Sequence, residues 1–417
     1  MYFLVDCNQF FVSCELLFHP HLKKKPVIVL SNNDGCVISR SPEAKALGIP
    51  MGAPYYQCAS IIKEKNIAVF SSNFALYGDI SRRVMEVLHS FTADMEEYSI
   101  DEAFLILTQS DPLAYADQIK KKVLQWTGIP ISVGIGKTKT LAKLANDIAK
   151  KEASLKGLFY FEDEKAVEKK LSCLPVSEIW GIGKRLAAFL NAEGITTALA
   201  FKNAPDEWIK KNLSVTGLKC AWELRGISCF NWEECPAEPK SITYSRSFGR
   251  DVLDLQDLNE AAASYVAKAC EKLRSQQLVA SFLSIFLMTS RFCSNTYENA
   301  ASFSLAEPSD YTPLLIHHAK EILRTLYRPG YVYKKVGITL SGLVSTSSYQ
   351  QDLFAEPLFQ REKKIKAMRV IDDLKHNSSF SVLRFASEGL QQSWKRKQEK
   401  RSDRFTTRWD ELLTISI

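Results

Sequence analysis

The chain has 417 residues, enough for two to four domains of ordinary size. Hydrophobic residues make up 46% and charged residues 24%, which excludes wholesale disorder and a collagen-like fibre. No run of about 18 apolar residues is present, so the sequence predicts no membrane span, and the N-terminus lacks the basic region of a signal peptide. The 54 Lys and Arg exceed the 47 Asp and Glu to leave a net charge of +7, which permits a polyanionic partner without demanding one.

Ten cysteines are spread along the chain, and no C-x-x-C pair is among them. This spacing argues against a structural zinc site and against a dense disulfide framework. We therefore expect reduced or buried thiols and a cytosolic protein.

The pattern of apolar residues and turns in the first 165 residues predicts an α+β domain. Its strands are predicted at 1–6, 27–30, 36–39 and 131–135 with two more within 96–107, and its helices at 8–17, 43–47, 74–91, 112–127 and 140–151. The order of these elements indicates a mixed sheet with helices on one face.

The remaining chain predicts two further regions and a tail. Short helices with glycine turns run to residue 232, and a proline-containing linker follows at 236–240. Strands at 242–248, 281–289 and 335–341, alternating with helices at 257–276 and 312–326, predict a second, smaller α+β domain. Residues 341–351 are polar and typical of a loop, and the tail from 361 is rich in Lys and Arg.

Acidic residues end two of the apolar strands. Asp6 is the last residue of the first strand, and Asp101 and Glu102 lie at the junction of a strand pair. Buried carboxylates are costly unless they are solvated or bind a cation, and Mg²⁺ prefers such oxygen ligands. A pair of these ions promotes in-line displacement at phosphorus. For each segment alone, solvated strand-end acids are the favoured interpretation, because the sequence does not show that the two segments meet.

Two segments suggest phosphate binding. Ser39, Arg40 and Lys45 surround a turn and a helix start that could hold a triphosphate, although a capped surface helix would look the same. Residues 134–138 resemble the end of a P-loop, but the first glycine of that motif is replaced by Ile131, so we reject this interpretation. The following helix still brings Lys150 within reach of an anion.

Two shorter motifs suggest macromolecular partners. Gly181, Gly183 and Lys184 form the turn of a helix-hairpin-helix pattern, whose backbone N–H groups can bind a nucleic-acid phosphate; a plain helical hairpin is the alternative. The second motif, a Gln-x-x-Leu-Phe peptide, could place two apolar anchors in a pocket on a partner, although so short a match also arises by chance. Its residues are Gln350, Leu353 and Phe354.

Taken in order, these segments resemble the Y-family translesion DNA polymerases, and in particular their UmuC-type members. The most specific segments are 6–15, 33–40 and 98–104, extended by 133–150 and 245–249, and the resemblance covers essentially the whole chain. It implies an α+β multidomain, right-hand polymerase fold. The implied regions are a palm at 1–30 and 72–165, small fingers at 31–71, a helical thumb at 166–232 with the helix-hairpin-helix, an α+β little finger at 240–345, a clamp-binding linker at 346–361 and a UmuC-type C-terminal extension at 362–417.

The resemblance also assigns residues to an active site. Asp6, Asp101 and Glu102 become the carboxylate ligands of two Mg²⁺ ions, with Asp101 and Glu102 as the catalytic pair and the Cys7 carbonyl as a further ligand. Phe11 falls at the position of the bulky residue that excludes the 2′-hydroxyl of a ribonucleotide. Residues matching the triphosphate contacts are Ser39, Lys45 and Lys150, with Arg40 as an addition. Many family members carry Tyr where this chain has Pro42, so one phosphate contact is missing or replaced.

The implied function is error-prone, template-directed DNA synthesis past lesions, of the SOS type. The primer 3′-hydroxyl would attack the α-phosphate of a dNTP. The implied partners are primer–template DNA held at Gly181, Gly183 and Lys184, a sliding clamp bound by the Gln-x-x-Leu-Phe peptide, a UmuD′-like dimer and a RecA filament, in a bacterial cytoplasm. Two alternatives stay open: a non-catalytic DNA-binding scaffold and a two-metal nuclease.

Overall fold

The computed structural model describes residues 1–230, 232, 238–293, 295–348, 357–377 and 383–413. The chain divides into two compact units. The first comprises Met1–Ser31, Gly35–Pro236 and Lys400–Ile417, and the second comprises Asn32–Asp34 and Ala237–Glu399. The predicted extension at 362–417 is therefore shared between both units. No helix in the described part of the chain is long and apolar enough to cross a membrane.

The first unit contains two sheets and a helical region. Its strands are β1 (Tyr2–Cys7), β2 (Val27–Leu30), β3 (Val37–Arg40), β4 (Ala68–Ser71), β5 (Met95–Glu97), β6 (Glu102–Ile106), β7 (Ile131–Gly136) and β8 (Leu158–Tyr160). Its helices are α1 (Phe10–Phe18), α2 (Pro42–Ala46), α3 (Tyr55–Glu64), α4 (Phe74–His89), α5 (Pro112–Thr127), α6 (Lys139–Lys151), α7 (Glu164–Cys173), α8 (Lys184–Ala192), α9 (Ala198–Lys202) and α10 (Asp206–Leu224). The predicted strands and helices of the first 165 residues are confirmed to within a few residues at their ends.

The larger sheet has the order β5-β6-β1-β7-β8 and is mixed, as predicted. Strand β1 lies at its centre, antiparallel to both β6 and β7, whereas β7 and β8 are parallel. The prediction of helices on one face is wrong. Phe3 and Val5 pack into the core formed with α4 and α5, while Leu4 packs with Phe104 and with Ala142 of α6 on the other face. Successive strand side chains point to opposite faces, so a strand that is apolar at every position is buried on both.

Two glycines of β7 explain why residues 134–138 resemble a P-loop. A Cβ atom on Gly134 would lie 2.1 Å from the backbone nitrogen of Asn146, and one on Gly136 would lie 2.7 Å from that of Ala142. These positions lack side chains because α6 approaches the strand backbone. The glycines therefore bring a helix close to the sheet.

The smaller sheet of the first unit has the order β3-β2-β4, with β2 and β3 antiparallel and β2 and β4 parallel. Strand β4 was not predicted. The helical region, α7 to α10, has its own apolar core. The predicted helix-hairpin-helix is only partly right, because its first helix is a single 3-10 turn at Val176–Glu178. Pro175 before this turn and Ile179 after it have extended backbones, which leaves no room for a full helical turn.

The second unit is a four-stranded antiparallel sheet packed against two helices. Its elements are β9 (Ser241–Val252), α11 (Leu255–Ser275), β10 (Leu278–Thr289), β11 (Glu298–Ser309), α12 (Thr312–Leu326), β12 (Tyr333–Ser345) and α13 (Leu358–Asn377). The strand order is β11-β10-β12-β9. Strand β11 was missed, and the expectation of a loop from 341 is wrong because β12 continues to Ser345. Its pairing with β10 extends to Leu278↔Ser345, so cross-strand hydrogen bonds outweigh the polar composition.

Candidate active site

The central sheet brings the three predicted carboxylate residues to one end of adjacent strands. In the β1–β6 ladder, Asp6 pairs with Glu102. The Cys7 N–H donates to the carbonyl of Asp101 over 2.8 Å, which holds the turn before β6 against the end of β1. This pairing supplies the spatial relation that the sequence spacing could not.

The site places acidic groups in a poorly solvated setting. Asp6 is 8% exposed, and its side chain lies on the face of the sheet that α6 covers. Burial raises the pKa of Asp6 to about 7; nearby Lys150 lowers this pKa and the neighbouring Glu102 carboxylate raises it. A carboxylate in this position is stabilised in its charged form by a cation.

Helix α6 presents positively charged lysine side chains to these acids. Lys150 Nζ lies 2.5 Å from Asp6 Oδ2, and Lys143 Nζ donates to both oxygens of Glu102 over 2.8 and 2.9 Å. Lys139 pairs with Glu96 over 2.6 Å. The lysines are spaced by four and seven residues, so they share one face of the helix. The glycines of β7 permit the approach that brings this face to the acids.

The donor set fits hard divalent cations, which prefer carboxylate and carbonyl oxygens. The Asp101 carboxylate accepts a hydrogen bond from the Ser99 hydroxyl over 2.8 Å, next to Glu102. The Cys7 thiol is buried in the apolar core, and burial raises its pKa, so its backbone carbonyl is the group that suits such a cation. The acidic groups lie at adjoining strand ends but do not all meet within 4.8 Å. Among the described residues, the one trio of possible ligands that does so is His317, His318 and Glu321, on α12.

Phe11 lies on α1, which begins three residues after β1 ends. Its ring stacks on Tyr77 of α4, with centroids 4.8 Å apart and planes inclined by 25°. Phe74 meets the Phe11 ring edge-on at 6.0 Å. The Phe11 ring is half-buried and contacts aromatic rings on two sides, which restricts its movement.

The residues predicted to contact a triphosphate have different surroundings. Ser39 is buried, and its hydroxyl oxygen accepts from the backbone N–H of Val12, directly after Phe11. Lys45 is exposed on α2. The Arg40 guanidinium donates to the carbonyl of Ile49, which occupies one of its N–H groups within the β2–β3–β4 region. Ser39 therefore lies beside the start of α1, and Lys150 lies beside Asp6.

The predicted DNA-backbone contacts form an exposed turn. Gly181 has a φ of +90°, a conformation that favours glycine, and Gly183 is the N-cap residue of α8. Lys184 and Arg185 open the helix and are exposed. The first N–H groups of a helix lack intrahelical partners, so this end of α8 is suited to an anion. The predicted clamp-binding residues, Gln350, Leu353 and Phe354, lie outside the described residues.

Sequence reasoning missed the aromatic and acidic support behind Phe11. Tyr77 lies 66 positions beyond Phe11 in the chain, and it reads as an ordinary apolar position of an amphipathic helix. Glu15 follows Phe11 by four residues and is fully buried, where its Oε1 accepts the Tyr77 hydroxyl over 2.6 Å. A glutamate within the apolar helix 10–18 was the available signal.

Comparison with known proteins agrees with this architecture. The structure superposes on a Y-family DNA polymerase chimera, Dbh–Dpo4–Dbh, with a TM-score of 0.67 at 22% identity, covering 82% of this chain and 99% of the chimera. An insertion ternary complex of Dbh DNA polymerase gives a TM-score of 0.54 at 21% identity over the same fractions. The fold is therefore that of the Y-family DNA polymerases.

Sequence comparisons identify the family more narrowly. The impB/mucB/samB family model matches residues 5–147, the model of its C-terminal domain matches 239–353, and a domain of unknown function matches 366–415. The chain is 39% identical to protein UmuC and 40% identical to protein ImpB, both of Salmonella typhimurium, over at least 99% of each chain. It is 29% identical to DNA polymerase IV of Desulfatibacillum aliphaticivorans over 89% of this chain and 92% of that one. The chain belongs to the impB/mucB/samB family.

Proposed function

We propose that this translesion DNA polymerase extends a primer by two-metal nucleotidyl transfer at Asp6, Asp101 and Glu102. The observation that carries the proposal is the β1–β6 pairing, which brings these residues together beside the lysines of α6. When bound, two Mg²⁺ ions would activate the primer 3′-oxygen and stabilise charge on the phosphates. The protein's contribution is to hold oxygen donors in a largely water-excluded position.

The remaining site residues would contact different parts of the incoming nucleotide. Lys150 would exchange its contact with Asp6 for one with the incoming triphosphate, and buried Ser39 would present its hydroxyl from β3. Phe11 would lie under the deoxyribose, where a 2′-hydroxyl would collide with its ring. Lys45 and Arg40 would add charge at the outer end of the triphosphate. The absence of a ring hydroxyl at Pro42 makes these cations more important to nucleotide affinity.

The decisive experiment is primer extension on undamaged and abasic templates with Mg²⁺. Asp101→Asn and Glu102→Gln keep side-chain size and should each reduce extension by roughly a thousandfold or more. Glu97→Gln is the matched control, because Glu97 is an exposed carboxylate on β5 of the same sheet. It should extend primers like the wild type. Equal extension by all four proteins would contradict the proposed site.

The same assay separates the alternatives. A two-metal nuclease would shorten the primer, and a scaffold would bind primer–template DNA without changing its length. If the folded wild type binds DNA but never extends it, even with a clamp, a RecA–ATP filament and a UmuD′-like dimer present, the scaffold interpretation replaces ours.

Partner binding is the finer part of the proposal. We place the clamp-binding peptide at Gln350, Leu353 and Phe354 from its sequence, and the backbone contacts of the template–primer at Gly181, Gly183 and Lys184. Replacing Leu353 and Phe354 by Ala should abolish stimulation by the clamp and leave clamp-independent extension unchanged. We also propose a UmuD′-like dimer and a RecA filament as partners and the bacterial cytoplasm as the place of action; family membership is the support for these proposals.

A further inference from the structure

The last described residues of the chain return to the first unit. We call residues 400–411 the return segment. Its start lies along β4, where the Ser71 N–H donates to the Lys400 carbonyl over 2.9 Å and the Lys400 N–H donates to the Ser71 hydroxyl over 3.0 Å. Further along, Phe405 is 8% exposed and stacks on Phe18 of α1 with centroids 4.5 Å apart. The segment is therefore anchored on both sides of Ser402.

Between these anchors, the side-chain amide of Asn73 makes several hydrogen bonds to Ser402 and its neighbour. The side-chain nitrogen of Asn73, the N-cap residue of α4, donates to the Ser402 carbonyl over 3.1 Å, to the Ser402 hydroxyl over 3.0 Å and to the Asp403 carbonyl over 3.1 Å. Asn73 is 2% exposed and Ser402 is 9% exposed. Hydrogen bonds so well shielded from water give the Ser402 hydroxyl a defined position.

The Ser402 hydroxyl donates to a buried carboxylate. Its partner is Glu15 Oε1, at 3.0 Å, and the same oxygen accepts the Tyr77 hydroxyl at 2.6 Å. Glu15 is fully buried, and burial raises its pKa while both hydroxyls lower it. A buried carboxylate with few donors is costly, so the loss of either hydroxyl would disturb the other contact.

Tyr77 connects this carboxylate to Phe11. Its hydroxyl is held by Glu15, and its ring stacks on Phe11 with centroids 4.8 Å apart. Glu15 and Phe11 are four residues apart on α1, so they lie on the same face of that helix. The hydrogen-bonded end of Tyr77 therefore fixes the orientation of the ring against which Phe11 rests.

We propose that Ser402 is a positioning residue for Phe11, acting through Glu15 and Tyr77, so that the C-terminal domain of unknown function sets the sugar selectivity of the polymerase. The inference rests on the proposed role of Phe11. A ring that excludes a 2′-hydroxyl by contact works only if it cannot retreat, and the return segment holds Glu15, whose carboxylate in turn holds the Tyr77 hydroxyl.

The test is the selectivity of the full-length protein, measured as kcat/KM for dATP divided by kcat/KM for ATP opposite template thymine. Ser402→Ala should lower this ratio on the order of tenfold, the scale of a small misplacement of a positioning group. Ser402→Thr keeps the hydroxyl and should restore most of the ratio. A merely structural role would reduce the active fraction, which lowers both kcat/KM values equally and leaves their ratio unchanged.

Three further variants make the result decisive. Ser387→Ala removes a hydroxyl that accepts from Lys320 in the second unit, so it is the matched control and should keep the wild-type ratio. Tyr77→Phe removes the other hydroxyl on Glu15 while keeping the ring, and should lower the ratio even if Ser402→Ala folds poorly. In a Phe11→Ala background, Ser402→Ala should cause no further loss, because the ring it positions is gone.

The outcomes separate this inference from the function on which it rests. If Phe11→Ala collapses the ratio while Ser402→Ala and Tyr77→Phe leave it at the wild-type value, Phe11 selects the sugar and the return segment does not position it. If Phe11→Ala itself leaves the ratio unchanged while primers are still extended, the sugar-gate assignment fails, and this inference fails with it.

Discussion

The two main sheets of the protein bury their faces differently. In the five-stranded sheet of the first unit, β1 is covered on both faces, so that Asp6 is shielded from water and has a raised pKa. In the four-stranded sheet of the second unit, α11 and α12 cover one face, and the other presents exposed hydroxyl pairs such as Thr243 with Thr339. A sheet that is covered on both faces can shield its acidic side chains from water and thereby raise their pKa. A sheet with one open face can present polar side chains to water at little energetic cost.

The largest difference in stability should appear when one glycine in each sheet is replaced by alanine, which adds one methyl group. In Gly134→Ala the new Cβ meets the backbone of α6 at 2.1 Å, so we expect a loss of roughly 3 kcal/mol or more. In Gly337→Ala the nearest atom, at 2.2 Å, belongs to the Phe286 ring on the open face, which can turn aside, but the new Cβ also lies 2.6 Å from the Ser245 Cβ, which cannot. We therefore expect a smaller loss, of about 2 kcal/mol. Hydrogen exchange of the β7 and β12 amides measures each sheet separately. Equal losses would refute the contrast.

A smaller difference in stability should follow from replacing a buried threonine of the first unit and an exposed threonine of the second unit by valine. The Thr138 hydroxyl is fully buried, caps α6 through the Leu141 N–H and donates to the Glu223 carbonyl over 2.9 Å. Thr138→Val should therefore cost about 2 kcal/mol of stability. Thr339→Val removes an exposed contact and should change stability by less than about 0.5 kcal/mol. Urea denaturation of both variants tests this, and a Thr339→Val loss as large as that of Thr138→Val would contradict it.

The smallest effect is a difference in the pH dependence of stability between a fully buried acid, Glu15, and a half-buried one, Glu411. Burial raises the pKa of Glu15, so the stability this residue contributes is present at low pH and is lost as pH rises from about 4.5 through its folded pKa. Arg404 lowers the pKa of Glu411 to about 2, so its contribution is present above about pH 4.5 and is lost as pH falls toward 2.

The two variants Glu15→Gln and Glu411→Gln should therefore move in opposite directions relative to the wild type. As pH rises from 4 to 7, the urea midpoint of Glu15→Gln should gain on that of the wild type, and the midpoint of Glu411→Gln should fall behind. The Glu411 effect should be slight, because its ion pair with Arg404 is only partly buried and water still screens it. If the urea midpoints of all three proteins change in parallel with pH, neither environment shifts the pKa of its carboxylate.

The sequence by itself determined most of the element order and the chemistry of the site. Apolar runs ending in Asp6 and flanking Asp101 indicated strands that end in acids, and the ordered segments indicated the family. Local patterns contain this information, because strand and helix periodicity and turn residues act over a few positions. They also led to errors: β11 was missed, and the first helix of the helix-hairpin-helix proved to be one 3-10 turn.

The tertiary structure alone decided which distant residues meet. The pairing of Asp6 with Glu102 depends on strand register, and the approach of α6 depends on two glycines whose role the rejected P-loop resemblance did not reveal. The contact of Ser402 with Glu15 joins residues 387 positions apart. Such contacts follow from how whole elements pack, and packing depends on the shape of the assembled core, which no local pattern contains.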